Sequence, residues 1–343
     1  MKLALQLTMA VLIILLGTIV EYRVVAAIHG PGWYTEVPGV ALQIAYGQAD
    51  WEFTAGRVLL PQTVRWIATH QLVEWTTVWL WSVFTCLVIG NAVSYFGLWA
   101  SRQTRGIAAP FAITQAAAFV AFQDTHVLNP SDLVDYITWA WFAMLVFRRS
   151  AWWWYVPLFA LEIHNREVAL FIPMWLLIDR SLSFERINGR WHISLRRVLV
   201  AGVACASIPA GAAYVRWLRH YCLTRTIPPH SEPQKWGQVW GWPSNVAGFK
   251  QAFHSGPYVT TGWQTRVEEW AFMAGTVMLV IGLVRFSVVT RRVGMALKLA
   301  ILIGGFYGAS LAFGLCDELR VWLCLIPFAM LLFLLPAEPT KSA

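Results

Sequence analysis

Residues 151–178 read AWWWYVPLFALEIHNREVALFIPMWLLI, and this stretch decides how the rest of the chain is read. The polar tetrad His164-Asn165-Arg166-Glu167 separates two apolar runs, Ala151 to Leu161 and Val168 to Ile178. Each run makes a helix about 17 Å long, against roughly 30 Å of bilayer hydrocarbon. Neither crosses alone. Arg148 and Arg149 precede the first run, and Arg180 and Arg186 follow the second. Basic residues collect on the cytoplasmic side, so arginine at both ends puts both ends on one face. The chain is expected to go in, turn at Asn165 and come back, with guanidinium and carboxylate facing a wet cavity on the far side. Ionisable groups at such depth are expensive and usually functional.

The surrounding composition fits a membrane protein. Charged residues are 13% of the 343 and hydrophobic ones 58%, where a soluble domain carries roughly 25% charged. Long runs such as Leu3 to Val20 and Val198 to Tyr214 hold no charge. Many of the 21 tryptophans fall near the ends of apolar runs, where indole rings favour the interface. The first run is long for a signal peptide, although Val25-Ala26-Ala27 loosely resembles a cleavage site. An uncleaved first span is the expectation.

Outward from the hairpin, the pattern predicts an all-α, polytopic transmembrane helix bundle forming one integral membrane domain over residues 1–343. It has about ten membrane segments, counting the short hairpin at 151–178. Two outer loops are long, about 21–74 and 216–269, and the other connections are short. With a cytoplasmic N-terminus, the inner face takes most of the 26 basic residues but only three acids, Asp179, Glu185 and Glu338. The net charge of +8 therefore reads as topology, and nucleic acid is not an expected partner. The expected location is a bacterial inner (cell) membrane, multi-pass, with both termini cytoplasmic.

Three arginine-bearing strings map to the outer side. They are Phe53 to Pro61 with Arg57, the tetrad with Asn165, Arg166 and Glu167, and Asp317-Glu318-Leu319-Arg320 ahead of Pro327 in the last span. Arginine grips phosphate or carboxylate through a rigid two-pronged donor. The plain alternative for each is an interfacial anchor or an ion pair between helices. Carboxylates crowd the same face: Glu36, Asp50 and Glu52 in the first loop, and Asp124, Asp132 and Asp135 about the second outer turn. Most would serve solubility. One near an arginine-lined pocket could act as general base for transfer to a hydroxyl, while cationic groups hold a phosphate leaving group.

The second long loop sets Trp236, Trp240, Trp242, Tyr258 and Trp263 among glycine and proline. Interface anchoring is the expected role for most, and stacking on sugar faces the alternative. Its histidines and the five cysteines have no metal-ligating spacing. No cofactor is assigned, and no ligand set for a divalent metal is defined. Cys222 and Cys316 share the outer side, which permits a disulfide; unpaired small hydrophobes are the expectation.

The order Arg57-Val58-Leu59-Leu60-Pro61, then Asn165-Arg166-Glu167, then Glu318-Leu319-Arg320 with Pro327 in the final span resembles bacterial polytopic glycosyltransferases of the GT-C superfamily type. Those use a polyprenyl-phosphate sugar donor. Leu128 to Asp179 carries the resemblance best. Relatives usually place Thr or Ser after the Glu, and this chain has Val168. The resemblance implies an inverting transfer on the non-cytoplasmic face. The donor's tail would lie in the bilayer and its phosphate near Arg166 or Arg320. A glycan, lipid or protein acceptor would lose its proton to an acid early in the first outer loop, here Glu36, Asp50 or Glu52. Asn165, Glu167, Arg57 and Glu318 complete the expected substrate-binding set. Three other readings stay open: a transporter or flippase of a lipid-linked or anionic substrate, an outer-face polysaccharide polymerase or ligase, and a non-catalytic membrane partner.

Overall fold

A computed structural model describes residues 2–46, 58–101, 104–121, 130–182, 185–187, 190–192, 194–223, 263–313 and 319–336. The fold is built almost wholly from helices. In chain order they are α1 (Lys2–His29), α2 (Glu36–Ala45), α3 (Leu59–Gln71), α4 (Trp75–Trp99), α5 (Ala108–Ala121) and α6 (Pro130–Phe147). Then follow α7 (Tyr155–Glu162), α8 (Phe171–Ser181), α9 (Leu195–Leu223), α10 (Trp263–Thr290), α11 (Val293–Phe313) and α12 (Ile326–Leu334).

Five helices are long and apolar enough to cross a membrane, in α1, α4, α9, α10 and α11, and shorter apolar helices cover Arg105–Ala121 and Trp322–Leu334. The expectation of about ten segments therefore stands only in its coarser form. An apolar segment in the sequence need not be a helix of spanning length. On α1, α9 and α10, large side chains such as Leu12, Leu16, Val203, Val280 and Val284 stay exposed. Helices this apolar that leave so much surface open are suited to a lipid surround.

The all-α class holds, with one short pair of strands after the hairpin. Strands β1 (Glu185–Ile187) and β2 (Arg190–His192) pair antiparallel, with Arg186 opposite Trp191. Asn188-Gly189 stands between them, the pair that most favours a two-residue connection.

The centre of the molecule is α6. Almost every residue in it is buried; α3, α4, α7, α12 and the 3-10 turn Leu319–Leu325 pack around it, and α5 reaches it at Tyr136 through Gln115 and Phe119. Its approach to α4 is close because Gly90 and Gly97 leave room for the Tyr136 ring and the Met144 thioether, as small residues do between membrane helices. The lower half of α6 builds an aromatic core in which Trp139, Phe142 and Phe147 meet Phe306, Phe286 and Phe328 edge to face.

The first expected outer loop begins later than its sequence boundary. The helix α1 runs past Val20 to His29, so Glu21 is a buried helical residue. Within that region α2 and α3 are ordered helices, joined where Arg65 and Gln62 donate to the Ala45 carbonyl at 3.0 and 2.8 Å. Most of the second loop, residues 224–262, lies outside the described residues.

Candidate functional site

The segment 151–178 is interrupted where the tetrad predicted. The helix α7 ends at Glu162, whose carbonyl accepts from the Asn165 and Arg166 N–H groups, both at 2.8 Å. Arg166 is then extended (φ −152°, ψ 158°), and a 3-10 turn over Glu167–Leu170 leads into α8. Pro157 and Pro173 fall in the first turns of α7 and α8, where a missing N–H does least harm. The chain does double back. Tyr155, at the start of α7, lies against Trp175 and close to Asp179 and Arg180, at the end of α8. Lys298 of α11 donates to the Asp179 carboxylate at 2.8 Å at that same end, so the arginine-fenced ends of the hairpin meet on one face.

At the other end, the turn is clasped to the start of α6. Asp132, Asp135 and Thr138 recur every third residue there and so share one helix face. Asp135 is 1% exposed, and both its oxygens are held from the turn. The Asn165 amide donates to Oδ1 at 2.7 Å, and Arg166 Nη1 donates to Oδ2 at 2.7 Å. The same nitrogen reaches Asp132 Oδ1 at 3.4 Å. Asn165 also donates to the Ser131 carbonyl at 3.1 Å. Asp132 sits in the first turn of α6, where the positive end of the helix dipole favours a carboxylate. The Thr138 hydroxyl lies 2.7 Å from Glu162 Oε2, and Glu162 interacts with Asp135 as well.

Arg166 is thus 8% exposed, with two aspartates beside it and Glu167 adding a third negative charge nearby. The expected wet cavity is not what these side chains meet, because Asn165 and Arg166 are buried against α6. The physical reason is charge matching. A guanidinium this deep needs a partner, and α6 presents two carboxylates one turn apart. Two polar atoms of the cluster, Arg166 Nε and Glu162 Oε1, have no partner among the described residues. Such atoms mark where a water or a substrate group belongs.

The other strings reach this end through their neighbours. Leu59, two residues after Arg57, donates its N–H to the His164 carbonyl at 3.3 Å. The 3-10 turn that contains Arg320 packs on α6 and brings Cys324 Sγ to 3.9 Å from Asp135 Oδ2. Arg57, Asp50, Glu52, Glu318 and Cys316 lie outside the described residues, as do the side chains of Arg320 and Cys222. Glu36 begins α2 and is exposed. No group of three His, Cys, Asp or Glu residues suited to a metal occurs among the described residues.

Two features escaped the sequence reading. Glu162 was overlooked because it directly follows the apolar run that ends at Leu161. A second buried polar network crosses α1, α4, α5 and α6. The Asn91 amide donates to Glu21 Oε2 at 2.7 Å and Thr18 Oγ1 at 3.0 Å, and the Tyr136 hydroxyl donates to Asn91 Oδ1 at 2.8 Å. Ser94 donates to Gln115 Oε1 at 2.9 Å, and Gln115 donates to the Tyr136 carbonyl at 3.0 Å. Asn91 and Gln115 inside apolar runs were the available signal. Compared with known protein families, curated proteins and solved structures, the chain matches none.

Proposed function

We propose that the chain is a membrane glycosyltransferase that moves a sugar from a polyprenyl-phosphate donor to an acceptor hydroxyl, with inversion, at the end of the bundle where the hairpin turns. One observation carries the reading: the described neighbours of three arginine strings, remote in sequence, converge on the buried acids at the start of α6. The acceptor oxygen attacks the anomeric carbon, and the bond from that carbon to the phosphate oxygen breaks. A carboxylate takes the hydroxyl proton, and polyprenyl phosphate leaves as an anion. Arg166 serves as the positioning residue that fixes Asp132 and Asp135, while Arg57 and Arg320 are assigned to the donor phosphate. Asp50, Glu52 and Glu36 remain the proposed bases, with Asp132 added.

The proposed topology has about ten membrane segments, with the tetrad outside and both termini in the cytoplasm. The meeting of Asp179, Arg180 and Lys298 at the opposite end supports it. A cysteine placed at Gln234 is then labelled only from outside, and one at Asn188 only from inside. The reverse pattern discards the orientation.

The transfer itself is tested with purified protein in vesicles, a panel of polyprenyl-phosphate hexoses and pentoses, and cell-envelope acceptors. Arg166→Ala and Glu167→Ala are expected to abolish transfer while the protein stays inserted. Full transfer by both variants would refute the site. The transporter reading has one observation in its favour. Glu21 is a carboxyl buried inside a spanning helix, and its network meets the hairpin cluster at adjacent residues of α6, Tyr136 and Asp135. Substrate-dependent proton flux in proteoliposomes that Glu21→Gln removes, without any sugar transfer, would decide for transport.

A further inference from the structure

The buried carboxyl of Glu162 takes no part in the proposed transfer, and its surroundings differ from those of the acids beside it. Glu162 ends α7 and is 0% exposed. Its Oε2 lies 2.7 Å from the Thr138 hydroxyl, an ordinary separation for an O–H···O hydrogen bond. The same hydroxyl lies 2.9 Å from the Val134 carbonyl, one turn back on α6. A threonine hydroxyl has one proton to give and two lone pairs that accept. Beside an ionised Glu162 it would have that one proton to share between two acceptors. With a proton on Glu162 Oε2, each contact is a full hydrogen bond. The acid donates to Thr138, and Thr138 donates to Val134. Links in such a chain polarise and strengthen one another.

Asp135 decides which carboxyl holds the proton. Glu162 and Asp135 lie close enough to interact, and two carboxylates in one dry site do not both ionise. Both Asp135 oxygens already accept, from the Asn165 amide and from the Arg166 guanidinium, each at 2.7 Å. Those donors favour the anion at Asp135. Glu162 is the poorer place for a charge, because its Oε1 meets no partner among the described residues. A bare carbonyl oxygen costs less in such a place than a bare carboxylate oxygen.

Other charged and titratable groups surround this end of α7. They are Asp132 on α6, His164, Arg166 and Glu167 in the turn, and Cys324 in the 3-10 turn. Asp179 and Arg180 of α8 lie at the far end of α7, near Tyr155.

We propose that Glu162 is a proton-binding site, which carries its proton at neutral pH and so lets Asp135 stay ionised and clasp the hairpin turn. Glu162 is thereby a positioning residue for the turn. Only the clasp is involved, and the transfer reaction is not. If the turn opens, water reaches the acid, which then ionises at neutral pH as glutamate in water does. Opening releases one proton, so each unit rise in pH favours it by up to about tenfold.

The full-length protein in lipid nanodiscs is compared with Glu162→Gln, Glu162→Ala and Glu21→Gln. In infrared spectra, wild type is expected to show a protonated-carboxyl band that Glu162→Gln removes. Glu21→Gln, which takes away the buried carboxyl of α1, leaves that band in place. Glutamine is neutral, and its amide donates to Thr138 as the acid does. Tryptic cleavage after Arg166 at neutral pH should therefore stay as slow in Glu162→Gln as in wild type, and be faster in Glu162→Ala. As pH rises, cleavage of wild type should climb relative to Glu162→Gln at the same pH, by up to about tenfold per unit. Should Glu162→Ala fail to insert, the infrared band and the pH slope are read without it. No band lost in Glu162→Gln, glutamine opening the turn as far as alanine does, or one pH slope for wild type and Glu162→Gln would each overturn the proposal. None of these readouts uses sugar transfer, so the proton site fails or stands apart from the proposed activity.

Discussion

Replacing Arg166 by methionine removes the guanidinium and keeps most of the side-chain volume. Asp135 then loses its 2.7 Å partner on Oδ2 while the carboxyls of Asp132 and Glu162 remain beside it. Breaking a buried pair by removing one partner typically costs about 3–5 kcal/mol. Asp135→Asn alone should fall at the lower edge of that range, because Asp132 still reaches Arg166 at 3.4 Å. The double variant leaves no uncompensated pair at Asp135, so its loss should be clearly less than the sum. A coupling energy of at least ~2 kcal/mol is expected, within the span seen for residues in contact. The assay is reversible unfolding in mixed micelles, with protease access to the 163–170 turn as a local probe. Losses that add within about 0.5 kcal/mol, the behaviour of independent sites, would refute the clasp.

Other variants test the frame around that clasp. Gly90→Ala drives a methyl group into the Tyr136 ring, which its hydrogen bond to Asn91 holds in place, so a loss of about 1–3 kcal/mol from overpacking is expected. Gly97→Ala meets only the flexible Met144 thioether, and a smaller loss in thermal unfolding should separate the two. Lys298→Met removes a bond to Asp179 whose carboxylate side chain is 27% exposed; a loss of up to ~1 kcal/mol, shrinking with added salt, is the expected result.

The hairpin was legible because it rests on local quantities: run length against bilayer thickness, flanking arginines, and a polar interruption. The partners of Arg166 were less legible. Asp132 and Asp135 lie more than thirty residues upstream, and the sequence alone cannot weigh a substrate phosphate against an internal carboxylate. Glu21 was assigned to a loop because the apolar run ends at Val20. A helix does not stop where hydrophobicity stops, and α1 continues while the Asn91 amide donates to one oxygen of the carboxyl inside. Of the apolar segments, five are helices of spanning length, while α5, α12 and the two arms of the hairpin are apolar yet shorter than a single crossing.

The doubled-back path is measured most directly by the distance between spin labels at Trp154 and Asp179 in the full-length protein in lipid nanodiscs. A single dominant distance well below 30 Å is predicted, since the neighbouring Tyr155 and Trp175 side chains touch. A distance near the roughly 37 Å that twenty-five residues of continuous helix would span would contradict the account.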